Sequence, residues 1–431
     1  MIYNNLSVNA EGHLTFAGYD TVVLAKTYGT ALQVLDEERI RDRCRIYKQA
    51  MAAYLPAGSR PLYASKALSI KRIYGIMQQE NMGVDVVSVG ELYTAVQAGF
   101  PMENAYFHGS SKTDEDIRFA MENRVGYFIC DNADELDAID TEAARQGICQ
   151  KIFLRLAPGV DPHTHEKINT GRVDSKFGVA IETGQAEDMT ARALEKKNIE
   201  LIGYHCHVGS QLFDEALFCD SATNMLTFVA KIAKKYGYMA KEVNLGGGMG
   251  VPYTAAEPAV DYAENIRKTG AHIKALCDSL QIPPPAILME PGRSIVADSG
   301  ITLYTVTGTK EIPGFKNYVN IDGGMTDNPR YTLYQSPYTV YNAGKMKQTA
   351  DFVYTVAGRC CESGDLIQEN VILPKSVRGD VLAVLTTGAY NYSMASNYNR
   401  VPRPAVVMIG KNGPYIAVRR ETPEDLLRCD L

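Results

Sequence analysis

Eight short apolar runs, at residues 61–64, 84–87, 105–108, 127–130, 151–156, 201–207, 242–245 and 286–289, constrain this chain more than any other feature. Each is followed by a longer stretch with helical spacing, and eight strands alternating with helices fit a closed parallel barrel better than an open sheet. Another amphipathic helix precedes the first run, with Val34, Leu35, Ile40, Cys44, Tyr47, Met51 and Leu55 recurring mostly at three- and four-residue steps. Between the sixth and seventh runs, Phe213, Leu217, Met225, Leu226, Val229 and Ile232 define one face of the clearest helix.

Past residue 300 the pattern changes. Segments 301–309, 318–322, 352–356, 371–373, 381–385, 405–409 and 415–419 are strand-like and separated by Gly, Pro and Asn turns. The stretch before residue 36, with 14–16 and 21–24 strand-like, is placed to join that sheet. The expected fold class is therefore α/β. A (β/α)8 TIM barrel over 36–300 is followed by a C-terminal all-β domain, sandwich or barrel-like, built from 301–431 and joined by 1–35.

The 431 residues are 45% hydrophobic and 22% charged, a globular composition in a chain long enough for two domains. A formal net charge of −6 argues against nucleic acid as the main partner, since phosphate binding needs a basic face. No window holds eighteen uncharged apolar residues, and no basic stretch leads into an apolar one at the N-terminus. Neither a membrane span nor a signal peptide is expected. Nine cysteines without CxxC spacing read as reduced thiols in a cytoplasm.

In a barrel, functional groups sit at the C-terminal ends of strands. Lys66 follows the first run among small residues, Ala64-Ser65-Lys66-Ala67. A lysine partly desolvated there can present a free amine to a carbonyl, whereas the bland alternative is a lysine snorkelling at a strand end. The run Gly246-Gly247-Gly248-Met249-Gly250 lets backbone N–H groups converge on a phosphate, although tight barrel packing explains glycines equally well. Arg293 and Ser210, at other strand ends, supply further donors for the same anion.

His205-x-His207, with the same spacing repeated at His163-x-His165, is also how metal hydrolases hold zinc, but such a site needs more ligands than seven histidines readily supply. A histidine stacked flat on a ring is the better use of His207. A lysine, a phosphate cradle, a stacking histidine and the carboxylate of Glu290 together describe a site for pyridoxal phosphate.

Seven segments strengthen this. They are Tyr63-Ala64-Ser65-Lys66-Ala67, Asp85-Val86-Val87-Ser88-Val89-Gly90-Glu91-Leu92, His205-Cys206-His207-Val208-Gly209-Ser210-Gln211, Asn244-Leu245-Gly246-Gly247-Gly248, Glu290-Pro291-Gly292-Arg293, Cys361-Glu362-Ser363-Gly364-Asp365 and Gly388-Ala389-Tyr390. In them the chain resembles, over nearly its whole length, the alanine-racemase-like (fold type III) pyridoxal-phosphate decarboxylases, most closely the diaminopimelate-specific branch.

The resemblance implies a homodimer whose active sites draw residues from both subunits. It implies that Lys66 condenses with the cofactor aldehyde, His207 stacks on the ring and Glu290 contacts the pyridine nitrogen. Ser210, Gly247, Gly248, Gly292, Arg293 and Tyr390 would hold the cofactor, mainly at its phosphate. Cys361 of the partner subunit would return a proton after carbon dioxide leaves, while the adjacent Cys360 is incidental.

The implied reaction is decarboxylation of the small amino acid meso-2,6-diaminopimelate to L-lysine, the final step of lysine biosynthesis. Arg293, Arg330, Tyr334, Glu362 and Tyr390 would bind substrate. Two arginine forks suit its distal carboxylate, and Glu362 its distal ammonium. A surface salt bridge is the bland use of Arg330. The polar stretch 161–171, running on to Lys176-Phe177-Gly178, reads as a mobile cover over the site, and Ala157 departs from the asparagine common in the segment before it. The competing activities are ornithine, arginine or carboxynorspermidine decarboxylation, a catalytically silent homologue, and a zinc hydrolase.

Overall fold

The computed structural model describes residues 2–160 and 175–431. They divide into two compact units, one of Asp42–Gly250 with Val260–Ser294 and one of Met1–Arg41, Val251–Ala259 and Ile295–Leu431. The stretch 161–171 read as a cover, with His163 and His165, lies outside the described residues.

The first unit is a closed barrel of eight parallel strands. These are β1 (Arg60–Ala64), β2 (Gly83–Val86), β3 (Ala105–Phe107), β4 (Tyr127–Cys130), β5 (Gln150–Ala157), β6 (Ile199–His205), β7 (Glu242–Asn244) and β8 (Ala286–Met289). Neighbours pair in sequence order, and β8 closes on β1 through Leu288 opposite Arg60 and Met289 opposite Pro61. Every apolar run became a strand with ends within two residues of those expected, because strands covered on both faces are almost continuously apolar.

Several of the crossover helices start on side-chain caps. The Ser88 hydroxyl accepts from Glu91 N–H, Asn132 from Glu135 N–H and Asp261 from Glu264 N–H. The helix Ala216–Tyr236 buries Phe218, Met225, Leu226, Val229 and Ile232. Its expected face is corrected at one end: Phe213 precedes the helix, and Phe218 rather than Leu217 starts the buried stripe, since Asp214 fixes the start by accepting from Ala216 N–H.

The second unit holds a small antiparallel sheet (Leu6–Val8, Leu14–Phe16, Tyr19–Asp20) and a large one. The strand order of the large sheet is Leu366–Leu373, Phe352–Ala357, Lys316–Ile321, Gly300–Ile312, Leu32–Asp36, Ala405–Gly410 and Gly413–Val418. Val381–Leu385 also pairs with Gly300–Ile312, and Val340–Asn342 pairs with Val381–Leu385.

Alternate residues feed two cores. Ile301, Leu303, Ala383 and Leu385 pack into one, and Tyr304, Val306, Leu382 and Val384 into the other.

Two expectations about the N-terminal stretch are overturned here. Residues 21–24 begin a helix, Thr21–Tyr28, because the Asp20 carboxylate caps it by accepting from Val22 and Val23 N–H. Val34 and Leu35 belong to a fully buried strand rather than a helix, and the helix itself starts at Glu37 with Glu37 and Glu38 in its first turn. Among the described residues no helix is long and apolar enough to cross a membrane.

Candidate active site

β1 ends at Ala64, and Lys66 follows on a single 3-10 turn, Ser65–Ala67, partly buried between a fully buried serine and alanine. The turn after β8 packs directly on this strand end. Ala64 N–H donates to Pro291 O at 3.2 Å, and a Cβ on Gly292 would lie 2.9 Å from the Ala64 Cβ, so the approach requires glycine.

Glu290 follows β8 and is buried. Its Oε1 accepts from the Asn244 amide at 2.7 Å and lies 3.0 Å from His108 Nε2, while its Oε2 lies 3.3 Å from His205 Nε2. Burial alone would raise its pKa, but the contacts from His108 and His205 outweigh burial and hold the carboxyl well below its usual range. Burial pushes the His205 pKa down to about 4, so at neutral pH it is an uncharged imidazole donating Nε2–H to the carboxylate. His108 also approaches a second carboxylate, with Nε2 3.9 Å from Asp85 Oδ1, and burial raises the Asp85 pKa.

The ligand-capable atoms of His108, His205 and Glu290 lie within 4.8 Å of one another, so this trio has the makings of a metal site. It does not contain His207, against the His205-x-His207 pairing considered from spacing. Instead, His207 Nδ1 accepts from Gly247 N–H at 3.2 Å. Burial, with the Lys66 and Arg155 charges, holds the His207 pKa well below its usual value, leaving a neutral ring.

The glycine run lies against the Nδ1 edge of that ring. A Cβ at Gly247 would meet Glu290 O at 2.1 Å, and one at Gly248, where φ is +127°, would meet Gly209 O at 2.6 Å. Arg293 donates to Ser210 Oγ at 3.0 Å, joining the ends of β8 and β6, and Gln211 beside it adopts φ +62°. Backbone held in the left-handed region by a non-glycine residue is typical of a ligand clamp.

These residues fit pyridoxal phosphate. The glycine-lined cradle with the Arg293–Ser210 pair suits its phosphate, Lys66 its aldehyde, and Glu290 its pyridine nitrogen. Oε1 of Glu290 already has Asn244 and His108, whereas Oε2 has only His205 among the described residues, so acceptor capacity remains for a ring N–H.

The remaining expected residues belong to the second unit. Arg330 opens the short helix Arg330–Tyr334, which ends at Tyr334. It is buried, donates to Tyr338 Oη at 3.1 Å and lies 4.8 Å from the ring centre of Tyr253. A surface salt bridge is therefore excluded. Tyr390 takes φ +59°. Cys361 and Glu362 are exposed on a turn tied to the Arg330 helix by Thr332 Oγ1 donating to Gly364 O at 2.8 Å.

Sequence reasoning gave no role to Asp85, His108, Arg155 or Asn244. Asp85 and Arg155 were visible as single charges inside apolar runs, the mark of a buried group facing the barrel interior.

A barrel with these strand ends is a pyridoxal-phosphate-binding enzyme domain. The family model "Pyridoxal-dependent decarboxylase, pyridoxal binding domain" matches residues 37–297. The diaminopimelate decarboxylase of Bacillus subtilis is 43% identical over 98% of this chain and 96% of its own. A crystal structure of diaminopimelate decarboxylase from M. jannaschii in complex with L-lysine superposes with a TM-score of 0.91 at 34% identity, covering 99% of this chain and 98% of that one. The Helicobacter pylori diaminopimelate decarboxylase complexed with L-lysine has a TM-score of 0.84 at 30% identity, covering 95% and 98%. The chain belongs to the diaminopimelate decarboxylase family.

Proposed function

We propose that this protein decarboxylates meso-2,6-diaminopimelate to L-lysine and carbon dioxide with pyridoxal phosphate as cofactor, the final step of lysine biosynthesis. The observation that carries the choice of substrate is Arg330. It is a buried guanidinium whose contacts are the phenol of Tyr338 and the ring of Tyr253, with no acidic partner among the described residues. Burial opposes its charge, but the tyrosines Tyr253 and Tyr338 outweigh burial and raise its pKa, so it stays a cation and demands an anionic ligand group. The distal carboxylate of diaminopimelate is such a group, and ornithine lacks it.

Pyridoxal phosphate supplies a conjugated ring that accepts the electron pair left when the carboxylate departs. Lys66 anchors it, Arg293, Ser210 and the glycine run hold its phosphate, and Tyr390 contributes to cofactor and substrate binding. Glu290, kept ionised by its neighbours, keeps the pyridine nitrogen protonated. Glu362 receives the distal ammonium, with Arg293 and Tyr334 also at the substrate. After the carbon–carboxylate bond breaks, the Cys361 Sγ proton closes the carbon, and the thiolate regains a proton from water. We place the protein in the cytoplasm as a homodimer in which Cys361 and Glu362 of one copy serve the barrel of the other.

The deciding experiment supplies the purified holoenzyme with meso-, LL- and DD-diaminopimelate, ornithine, arginine and carboxynorspermidine, and measures carbon dioxide and lysine. Lysine from the meso isomer is the expected result. Release of carbon dioxide from one of the other amines, with diaminopimelate untouched, would overturn the substrate.

A further inference from the structure

We propose that Asp365 is a positioning residue for the Cys361 thiol, acting as the joint that locks two loops of the second unit into one frame. The proposal rests on the reading of Cys361 as the proton donor.

Asp365 is buried, and both of its carboxylate oxygens are spoken for by backbone. Oδ1 accepts from Met325 N–H at 2.6 Å, and Oδ2 from Cys360 N–H at 2.7 Å. Its own carbonyl accepts from Gly358 N–H at 2.8 Å. One residue therefore fixes the segment leading into the Arg330 helix and the turn that carries Cys361.

The sequence clears space for this carboxylate. A Cβ on Gly358 would lie 2.2 Å from Oδ1, and one on Gly324 would lie 2.4 Å from it. Neither glycine has a positive φ, so what these positions require is room rather than a special backbone conformation.

The turn itself is tight. Glu362 N–H donates to Cys360 O at 2.8 Å, which puts Cys361 at the apex of a three-residue turn, and Asp365 N–H donates to Glu362 O at 3.1 Å. From outside, Cys361 N–H is held by Asn399 Oδ1 at 2.9 Å, and Asn399 adopts φ +51°. The thiol is exposed, so its direction is set by backbone pinned on both sides rather than by packing. A carboxylate can accept two N–H groups on its two oxygens. An asparagine amide accepts on one side only and turns a donor toward the other N–H.

The test is a double-mutant cycle on the holoenzyme with D365N, C361A and the double variant, reading kcat, KM and visible cofactor absorption. D365N is expected to keep the absorption and lose about 10- to 100-fold in kcat, but to cost less than about threefold in the C361A background, since its effect runs through that thiol. An equal loss in both backgrounds, or an unimpaired D365N, overturns the proposal alone. C361A turning over at the wild-type rate overturns the reading of Cys361 and the proposal with it.

Should D365N not fold, N399A removes the outer anchor from an exposed loop. It is expected to show a milder loss that likewise vanishes in C361A, and a loss that persists there overturns the proposal.

Discussion

The Asn244 side chain donates to Glu290 Oε1 at 2.7 Å while its own Oδ1 accepts from Gly246 N–H at 2.9 Å. One amide thus sets both the carboxylate after β8 and the first turn of the glycine cradle after β7. Asn244→Asp keeps the shape but places a second carboxyl against Glu290, which raises the Glu290 pKa and removes a donor. We expect kcat to fall roughly 10- to 100-fold with a changed cofactor absorption spectrum. An unchanged spectrum and rate would show that Glu290 does not depend on this bond.

Lys66→Ala removes the amine proposed to anchor the cofactor. The expected outcome is loss of the visible absorption and a fall in turnover of at least about a thousandfold. Retained colour that bleaches with borohydride would place the anchoring lysine elsewhere.

Cys361→Ala is expected to keep the colour and slow product formation, because in the proposed mechanism only the proton return is impaired. Random exchange with Lys66→Ala subunits should restore about a quarter of wild-type turnover if sites are shared across a two-fold dimer. Subunit exchange demonstrated by native mass spectrometry without any recovery would refute sharing.

Arg330→Lys exchanges a fork stacked on Tyr253 for a point charge. KM for diaminopimelate should rise about tenfold or more, with a smaller effect on kcat. The check is steady-state kinetics beside thermal denaturation, to separate binding from folding.

Glu91 carries a prediction about pH. Burial raises its pKa from 4.5 to about 7, opposed by Val87 N–H donating to Oε2 at 2.8 Å and aided by the charge of Asp85. The folded chain then holds a proton that the unfolded chain has released between these values, so stability falls as pH rises through that window. Glu91→Gln should flatten the trend, with the wild type losing roughly 2–3 kcal/mol more than the variant between pH 5 and pH 8. Parallel denaturation curves at both pH values would refute the shift.

The barrel was legible because strands sandwiched between layers are mostly apolar, with a few buried polar residues aimed at the barrel interior, so each run stood out against the helices around it. In the N-terminal stretch the strand Leu14–Phe16 and the link to the C-terminal sheet were legible, but two element types were not, for local reasons. Leu32–Asp36 runs straight into the helix at Glu37 with no turn residue between them, so Val34 and Leu35 merge with the helical spacing. Thr21-Val22-Val23-Leu24 has strand propensity that the Asp20 cap overrules.

At the candidate site, the placement of Lys66, Glu290 and the glycines just after strand ends was legible because those ends follow the apolar runs directly. The contacts of His108 and His205 with Glu290 were not, since they join strands far apart in sequence and only closure of the barrel brings them together.

The strand Leu32–Asp36 pairs antiparallel with Gly300–Leu303 and parallel with Ala405–Ile409. During translation this apolar segment leaves the ribosome long before either neighbour exists, and the chain of the whole barrel emerges in between. Until its neighbours are made, the segment has no strand to pair with in the large sheet. The large sheet of the second unit cannot complete itself from the N-terminus onward, because Leu32–Asp36 waits for residues 300–303 and 405–409 to be made.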